Sequence, residues 1–160
     1  MNSNIKYIKA TTEYLEMLIS SRVAFMTEFW GEQTNEAEEK LKMELKSFFE
    51  REIPLQTYVS WIALDDEKLV GVGGMKIYQM PGSFRVPNGM IGYILNMHTI
   101  ESHRKRGIAS EIVNRLVESG KELGVGLFDL HASKMGEPVY INAGFKKHDE
   151  PSYRKIILTK

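Results

Sequence analysis

Cysteine is absent from the 160-residue chain, which excludes disulfides, thiolate metal sites and a cysteine nucleophile. Net charge is absent too. Lys plus Arg (21) balances Asp plus Glu (21), so no overall field draws the chain to nucleic acid or to an anionic membrane. No apolar run approaches the length of a membrane span, and the opening residues, MNSNIKYIKATTEY, lack the continuous apolar core of a signal peptide. The expected compartment is the cytoplasm. Internal repeats and low-complexity tracts are missing, and the four histidines (98, 103, 131 and 148) show no ligand spacing, so no metal is expected. What is present is an ordinary globular composition, 42% hydrophobic and 26% charged, in a chain sized for one domain over residues 1–160.

The hydrophobic pattern predicts the elements in turn. Residues 5–9 alternate with period two, as a half-buried strand does. Thr11 or Thr12 caps a helix whose inner stripe is Leu15, Leu18, Ile19 and Val23. After a break at Gly31, Asn35 and Glu38 read as a capping box for a helix over 36–50, with Leu41, Leu45 and Phe48 or Phe49 inward. Residues 58–64 and 69–78 form a hairpin about the turn 65–68. Gly71, Gly73 and Gly74 thin its second arm, which points to a bulge or a close approach by another group. A mobile loop over 79–88 leads to a long apolar strand, 89–99. A helix over 107–123, a strand over 127–131 and a short helix over 135–142 follow, then two strands near 145–147 and 153–158. The strand–helix–strand unit 89–131 implies a parallel pair with a right-handed crossover.

One stretch concentrates charge. HRKRGIASEIVNRL (103–116) places Arg104, Lys105 and Arg106 against Gly107 at the start of a helix. Three readings are open: a solvated basic turn, a nucleic-acid patch or an anion cradle. Neutral net charge and the lack of a second basic cluster count against nucleic acid. A helix start has unpaired N–H groups and the positive end of the dipole, and a glycine there lets the backbone come close to a phosphate. Ala109 keeps that approach clear, Ser110 offers a hydroxyl, and the arginines and lysine supply charge for a pyrophosphate.

Arg104-x-x-Gly107-x-Ala109, between an apolar strand and a helix, resembles the acyl-CoA-binding signature of the GNAT superfamily of N-acetyltransferases. LHASKMGEPVYINAGF (130–145) resembles that family's second signature, a strand and a short tyrosine-bearing helix before an Ala-Gly-Phe turn. The order of elements agrees from about residue 5 to 158. The resemblance implies an α/β fold of the α+β type: a mixed, largely antiparallel sheet with one splayed parallel strand pair and helices on both faces. It implies acetyl-CoA as co-substrate, held by residues 104–110 (Arg104, Lys105, Arg106, Gly107, Ile108, Ala109 and Ser110). The splayed strand's backbone at Met97, His98 and Thr99 would pair with the pantetheine arm, and one N–H there would stabilise an oxyanion. Ser133 or Lys134 falls nearest the family's further pantetheine contact.

Tyr140 is implied as the general acid that protonates the departing thiolate, a task suited to a phenol of pKa ~10. The base is open between Asp129, on the strand before the second signature, and His98, with Asn96 on the same strand. Glu28, Phe29 and Trp30, with Phe25, form an aromatic and acidic cluster suited to a cationic amine. Acceptor specificity is assigned to the N-terminal helices and the loop 79–89. The implied reaction is direct attack by a primary amine of a small molecule or a protein N-terminus. The rival reading is a non-catalytic acyl-CoA-binding regulatory module. Folds of this type often pair through exposed edges, so a homodimer is the form any self-association is expected to take.

Overall fold

Residues 5–157 are described by the structure, a computed structural model. Strand β2 (Tyr58–Asp65) shows the logic of the whole sheet, because its two faces are both apolar. Tyr58, Ile62 and Leu64 face one core, with Leu18, Ile19 and Phe49; Val59 and Ala63 face the other, with Ile108, Ile112 and Leu116. A strand alternates its side chains, so β2 must be covered twice. Helices α1 (Leu15–Trp30) and α2 (Asn35–Glu52) cover the first face and α3 (Ile108–Glu122) the second. Each fully buried Ile or Leu contributes about 1.5–3 kcal/mol.

The sheet runs β1 (Lys6–Lys9), β2, β3 (Lys68–Gln79), β4 (Met90–Thr99) and β5 (Leu127–Leu130) in spatial order. Only β4 and β5 are parallel, joined through α3, as the strand–helix–strand pattern predicts. The β2–β3 hairpin closes on Asp66 and Glu67, both at positive φ, the conformation of the tight turns that match strand twist. A short helix, α4 (Glu137–Asn142), follows β5.

A bulge interrupts the β3–β4 ladder. Gly74 pairs with Leu95 and Val72 with His98, so Asn96 and Met97 together oppose Gly73. Asn96 has φ +61, which asparagine tolerates better than most residues. The neighbouring glycines are there for space: a Cβ on Gly73 would lie 2.4 Å from the Met97 sulfur, and one on Gly74 1.9 Å from the Tyr58 hydroxyl. Both the bulge and the close approach foreseen at these glycines are present.

Several expectations need correction. Thr34, not Asn35, caps α2, its hydroxyl accepting from the Ala37 N–H at 3.2 Å. The short helix begins at Glu137 rather than 135, because a turn made by Ser133 precedes it. The loop 79–88 is tied down, with Ser83 and Val86 bonded to each other and Asn88 donating to the Gly124 carbonyl at 2.8 Å. It therefore packs at the start of β5, at the end of β4 remote from Thr99. The strands near 145–147 and 153–158 are not formed among the described residues; Leu158 lies outside them. Tyr153 is 90% exposed and Ile157 77% exposed. Strand-forming residues give a segment the capacity for a strand, but a ladder also needs a partner, and among the described residues this segment has none.

Candidate functional site

β4 and β5 stay paired only from Ile91↔Leu127 to Ile94↔Leu130. Beyond that point β4 continues for five residues, 95–99, bonded on the β3 side alone. The Ile100 N–H bonds the Val70 carbonyl at 3.1 Å, so in an antiparallel ladder the His98 backbone also faces β3 and the Thr99 backbone faces the open side. Of the three backbone positions expected to meet a pantetheine arm, Thr99 is thus presented and His98 is committed to the ladder. The Met97 side chain packs toward α3, beside Ile112, while the His98 side chain faces α1.

The charged turn lies at the end of this open half-strand. A single 3-10 turn (Glu101–His103) leads into it, and the His103 imidazole is 2.9 Å from the Asp65 carboxylate, which anchors the turn to the β2–β3 hairpin. Lys105 and Gly107 both have positive φ, +60 and +80. Gly107 is the N-cap of α3, and no side chain caps that end. The first-turn amides of Ile108, Ala109 and Ser110 therefore have no helical or capping partner, the arrangement that favours an anion. The Ile108 side chain is buried in the core under Gly71, which fixes where those amides point.

Arg104 makes two contacts within the protein. Its Nε donates to the Thr99 carbonyl and its Nη2 to Glu28 Oε1, both at 3.0 Å. It clasps the turn to β4 and to α1, while Lys105 and Arg106 are the exposed charges of the motif. Glu28 also receives His98 Nε2 at 3.0 Å, so both of its oxygens are engaged. The Arg104 bond, then the His98 bond, holds its carboxyl below the usual range. Glu28 is therefore a brace between helix and strand, with its side chain 53% exposed. Phe25 packs on the His98 ring at 5.9 Å, whereas Phe29 and Trp30 are exposed at the end of α1.

On the β5 side, α4 carries Tyr140, whose ring meets Phe145 edge-on at 6.0 Å. Among the described residues its hydroxyl has no partner. Burial, and next the nearby Tyr93, raises its pKa above 10.0, so the phenol keeps its proton at neutral pH. Tyr93 itself contacts His131 Nδ1 at 2.6 Å. Asp129 is exposed, pairs with Tyr93 in register and bonds the neighbouring Leu130 N–H at 2.9 Å. It belongs to the paired half of β4 and β5, apart from His98. Ser133 is used locally, its hydroxyl accepting from the Gly136 N–H at 3.1 Å, and Lys134 is exposed.

One group was invisible to sequence reasoning. Arg22 of α1 donates from Nη1 to Asn96 Oδ1 at 2.7 Å, and Asn96 Nδ2 donates to the Tyr58 hydroxyl at 3.2 Å. Tyr58 is fully buried and its pKa is pushed up to about 12 by desolvation. Burial likewise lowers the Arg22 pKa from its ordinary value. Arg22 and Asn96 are 74 residues apart, so no local pattern could have linked them.

Comparison with known proteins agrees with this geometry. The acetyltransferase (GNAT) family model matches residues 22–138. Curated protein sequences yield no significant match. Among solved structures, a predicted acetyltransferase with acetyl-CoA from Clostridium acetobutylicum is 29% identical, with TM-score 0.83 over 94% of this chain and 96% of that one. A GCN5-related N-acetyltransferase from Ralstonia eutropha is 23% identical, with TM-score 0.79 over 95% and 99%. A glucosamine-6-phosphate N-acetyltransferase from Arabidopsis thaliana is 16% identical, with TM-score 0.65 over 96% and 99%. The last two, at such identities, speak for the fold alone. Among the described residues no helix is long and apolar enough to cross a membrane, and no cluster of three or more His, Asp or Glu side chains is arranged to hold a metal.

Proposed function

Since the chain belongs to the GNAT acetyltransferase family, we propose that it moves an acetyl group from acetyl-CoA to the primary amine of a small molecule or a protein N-terminus. The observation that carries the reading is the divergence of β4 from β5 after Ile94↔Leu130. It turns the Thr99 N–H to the open side, while the Thr99 carbonyl accepts from Arg104; it ends at the uncapped start of α3, and has Tyr140 on the helix that follows β5. These features fit a coenzyme that is an anion at one end and an amide chain along its length.

Bound acetyl-CoA supplies the acetyl group as an activated thioester. The amides of residues 108–110, with Lys105 and Arg106, hold its pyrophosphate. The open backbone at Thr99 and Met97 pairs with the pantetheine amides and polarises the carbonyl. Glu28 accepts from His98 Nε2, which leaves Nδ1 as the basic nitrogen and makes His98 the preferred base over Asp129. His98 takes a proton from the amine as the C–N bond forms. Tyr140 gives its phenolic proton to sulfur as the C–S bond breaks. Ser133 or Lys134 remains the nearest candidate for a further pantetheine contact. We assign the protein to the cytoplasm and treat a homodimer through an exposed sheet edge as the form of any self-association.

The test is acetyl-CoA itself. The purified protein should show a thermal shift with acetyl-CoA and should release free thiol in the presence of one or more amines from a broad panel. No shift and no turnover would overturn the reading. A shift with no turnover on any amine would identify a non-catalytic acyl-CoA-binding module instead.

A further inference from the structure

Arg22 is a half-buried cation with no carboxylate paired to it among the described residues. The acidic side chain of α1 that also reaches β4, Glu28, is already taken by His98 and Arg104. Burying an arginine without an anion is costly, and a chain retains such an arrangement where something supplies the charge. The guanidinium is not loose: Asn96 holds Nη1 at 2.7 Å, and its carbon sits 5.9 Å from the centre of the Phe25 ring. Asn96 is itself fixed by the bulge and by Tyr58.

What is left over is specific. The Nε/Nη2 edge of Arg22, the fork that takes a carboxylate with two parallel bonds, has no acceptor in the protein among the described residues. No buried nitrogen in that set is left unsatisfied, so this edge reaches solvent. It does so beside Asn96, on the α1 side of the open half of β4, where His98 presents its ring two residues further on. Asn96 and His98 are held apart by two residues of β4 across the bulge, somewhat less than the about 6–7 Å of a regular strand.

We propose that Arg22 is the specificity residue of the acceptor site, and that the acceptor is an amine whose molecule also carries a carboxylate. The carboxylate binds the Nε/Nη2 fork while the amine lies at His98. The strand spacing favours a separated pair, as in an ω-amino acid, over the adjacent pair of an α-amino acid. This inference rests on the proposed acetyl transfer, and its test is arranged to fail separately from it.

The experiment uses matched amines: 5-aminopentanoate against pentylamine, with glycine as the short comparison. Calorimetry on the protein saturated with coenzyme A reads binding without any turnover, and acetyl-CoA assays read kcat/KM. The expected result is tighter binding and higher kcat/KM for 5-aminopentanoate than for pentylamine by about tenfold to a hundredfold, the range for a hydrogen-bonded charge. Glycine should fall below 5-aminopentanoate. R22M should collapse the ratio toward one. R22K, which keeps the charge and loses the fork, should retain only a minor part of it. The acetyl-CoA thermal shift of each variant checks that it folds and still binds the coenzyme. Equal behaviour of the two five-carbon amines overturns the proposal, as does a preference that survives in R22M. The acetyl-transfer reading falls only if turnover fails with every amine.

Discussion

Two halves of β4 differ in what their backbone touches. Residues 90–94 are bonded to β3 on one side and β5 on the other, and Ile94 is buried between the sheet and α3. Residues 95–99 are bonded to β3 alone, carry the bulge at Asn96, and collect Arg22, Glu28 and Arg104 around Asn96, His98 and Thr99. The strand is continuous, so the difference comes from its neighbours. Where both neighbours are present, the polar backbone is satisfied and side chains pack. Where one is missing, the backbone is free to bind something else, and polar side chains from α1 gather there. A fold supports chemistry at the place where its own hydrogen bonding stops.

Substitutions should separate the two halves. The largest effect is expected on the open side: Tyr140→Phe should lower kcat by about 10²–10⁴-fold, the range for a positioned general acid, with acetyl-CoA affinity retained. The alkaline limb of the pH–rate profile should lie above pH 10.0, because burial raises the Tyr140 pKa, and the variant should lack that limb. An unchanged kcat would remove Tyr140 from the reaction. On the paired side, Ile94→Ala should cost about 2–5 kcal/mol in denaturant unfolding and leave kcat alone. Equal losses of rate and stability in both variants would erase the contrast between the halves. Gly107→Val puts a branched side chain at φ +80 and should cost about 1–2 kcal/mol in denaturant unfolding, with weaker coenzyme binding by calorimetry where relief of that strain displaces the 108–110 amides.

The smallest effect concerns a cluster that resembles the Glu28 brace in chemistry only. Glu52 at the end of α2 accepts from Lys76, Thr57 and Arg51, and is 13% exposed where Glu28 is 53% exposed. The Lys76 bond, then the Thr57 bond, brings its pKa down from 4.5 to about 2. A depressed carboxyl pKa contributes stability above 4.5 that is lost as pH falls toward about 2. Glu52→Gln should therefore destabilise the fold by about 1 kcal/mol at neutral pH, with the gap to the parent closing near pH 2 in thermal melts.

Features legible in the chain were those made by near neighbours. Strand-forming runs on either side of a turn marked β2 and β3, the Gly107 turn marked the start of α3, and the three close-set glycines marked the bulge. Each is set by steric and hydrogen-bonding rules within a few residues, so residue order is enough. The contacts of the base candidates are visible only in three dimensions. Glu28 meets His98 across 70 residues and Arg104 across 76, so its bracing of helix to strand could not be read from residue order.

The C-terminal segment makes the same point in reverse. It holds aromatic and β-branched residues, yet residues 145–157 form no ladder, because pairing is a property of two segments and not of one. Composition and motif thus specified the class of fold, the helix start suited to an acyl-CoA anion and the tyrosine suited to a thiolate. Which charges stay open to a ligand was settled by long-range packing: Arg104 is consumed by Thr99 and Glu28, while Arg22, unremarked in the chain, keeps its fork free. A side chain's charge is local, but whether that charge is already neutralised depends on what folding brings beside it.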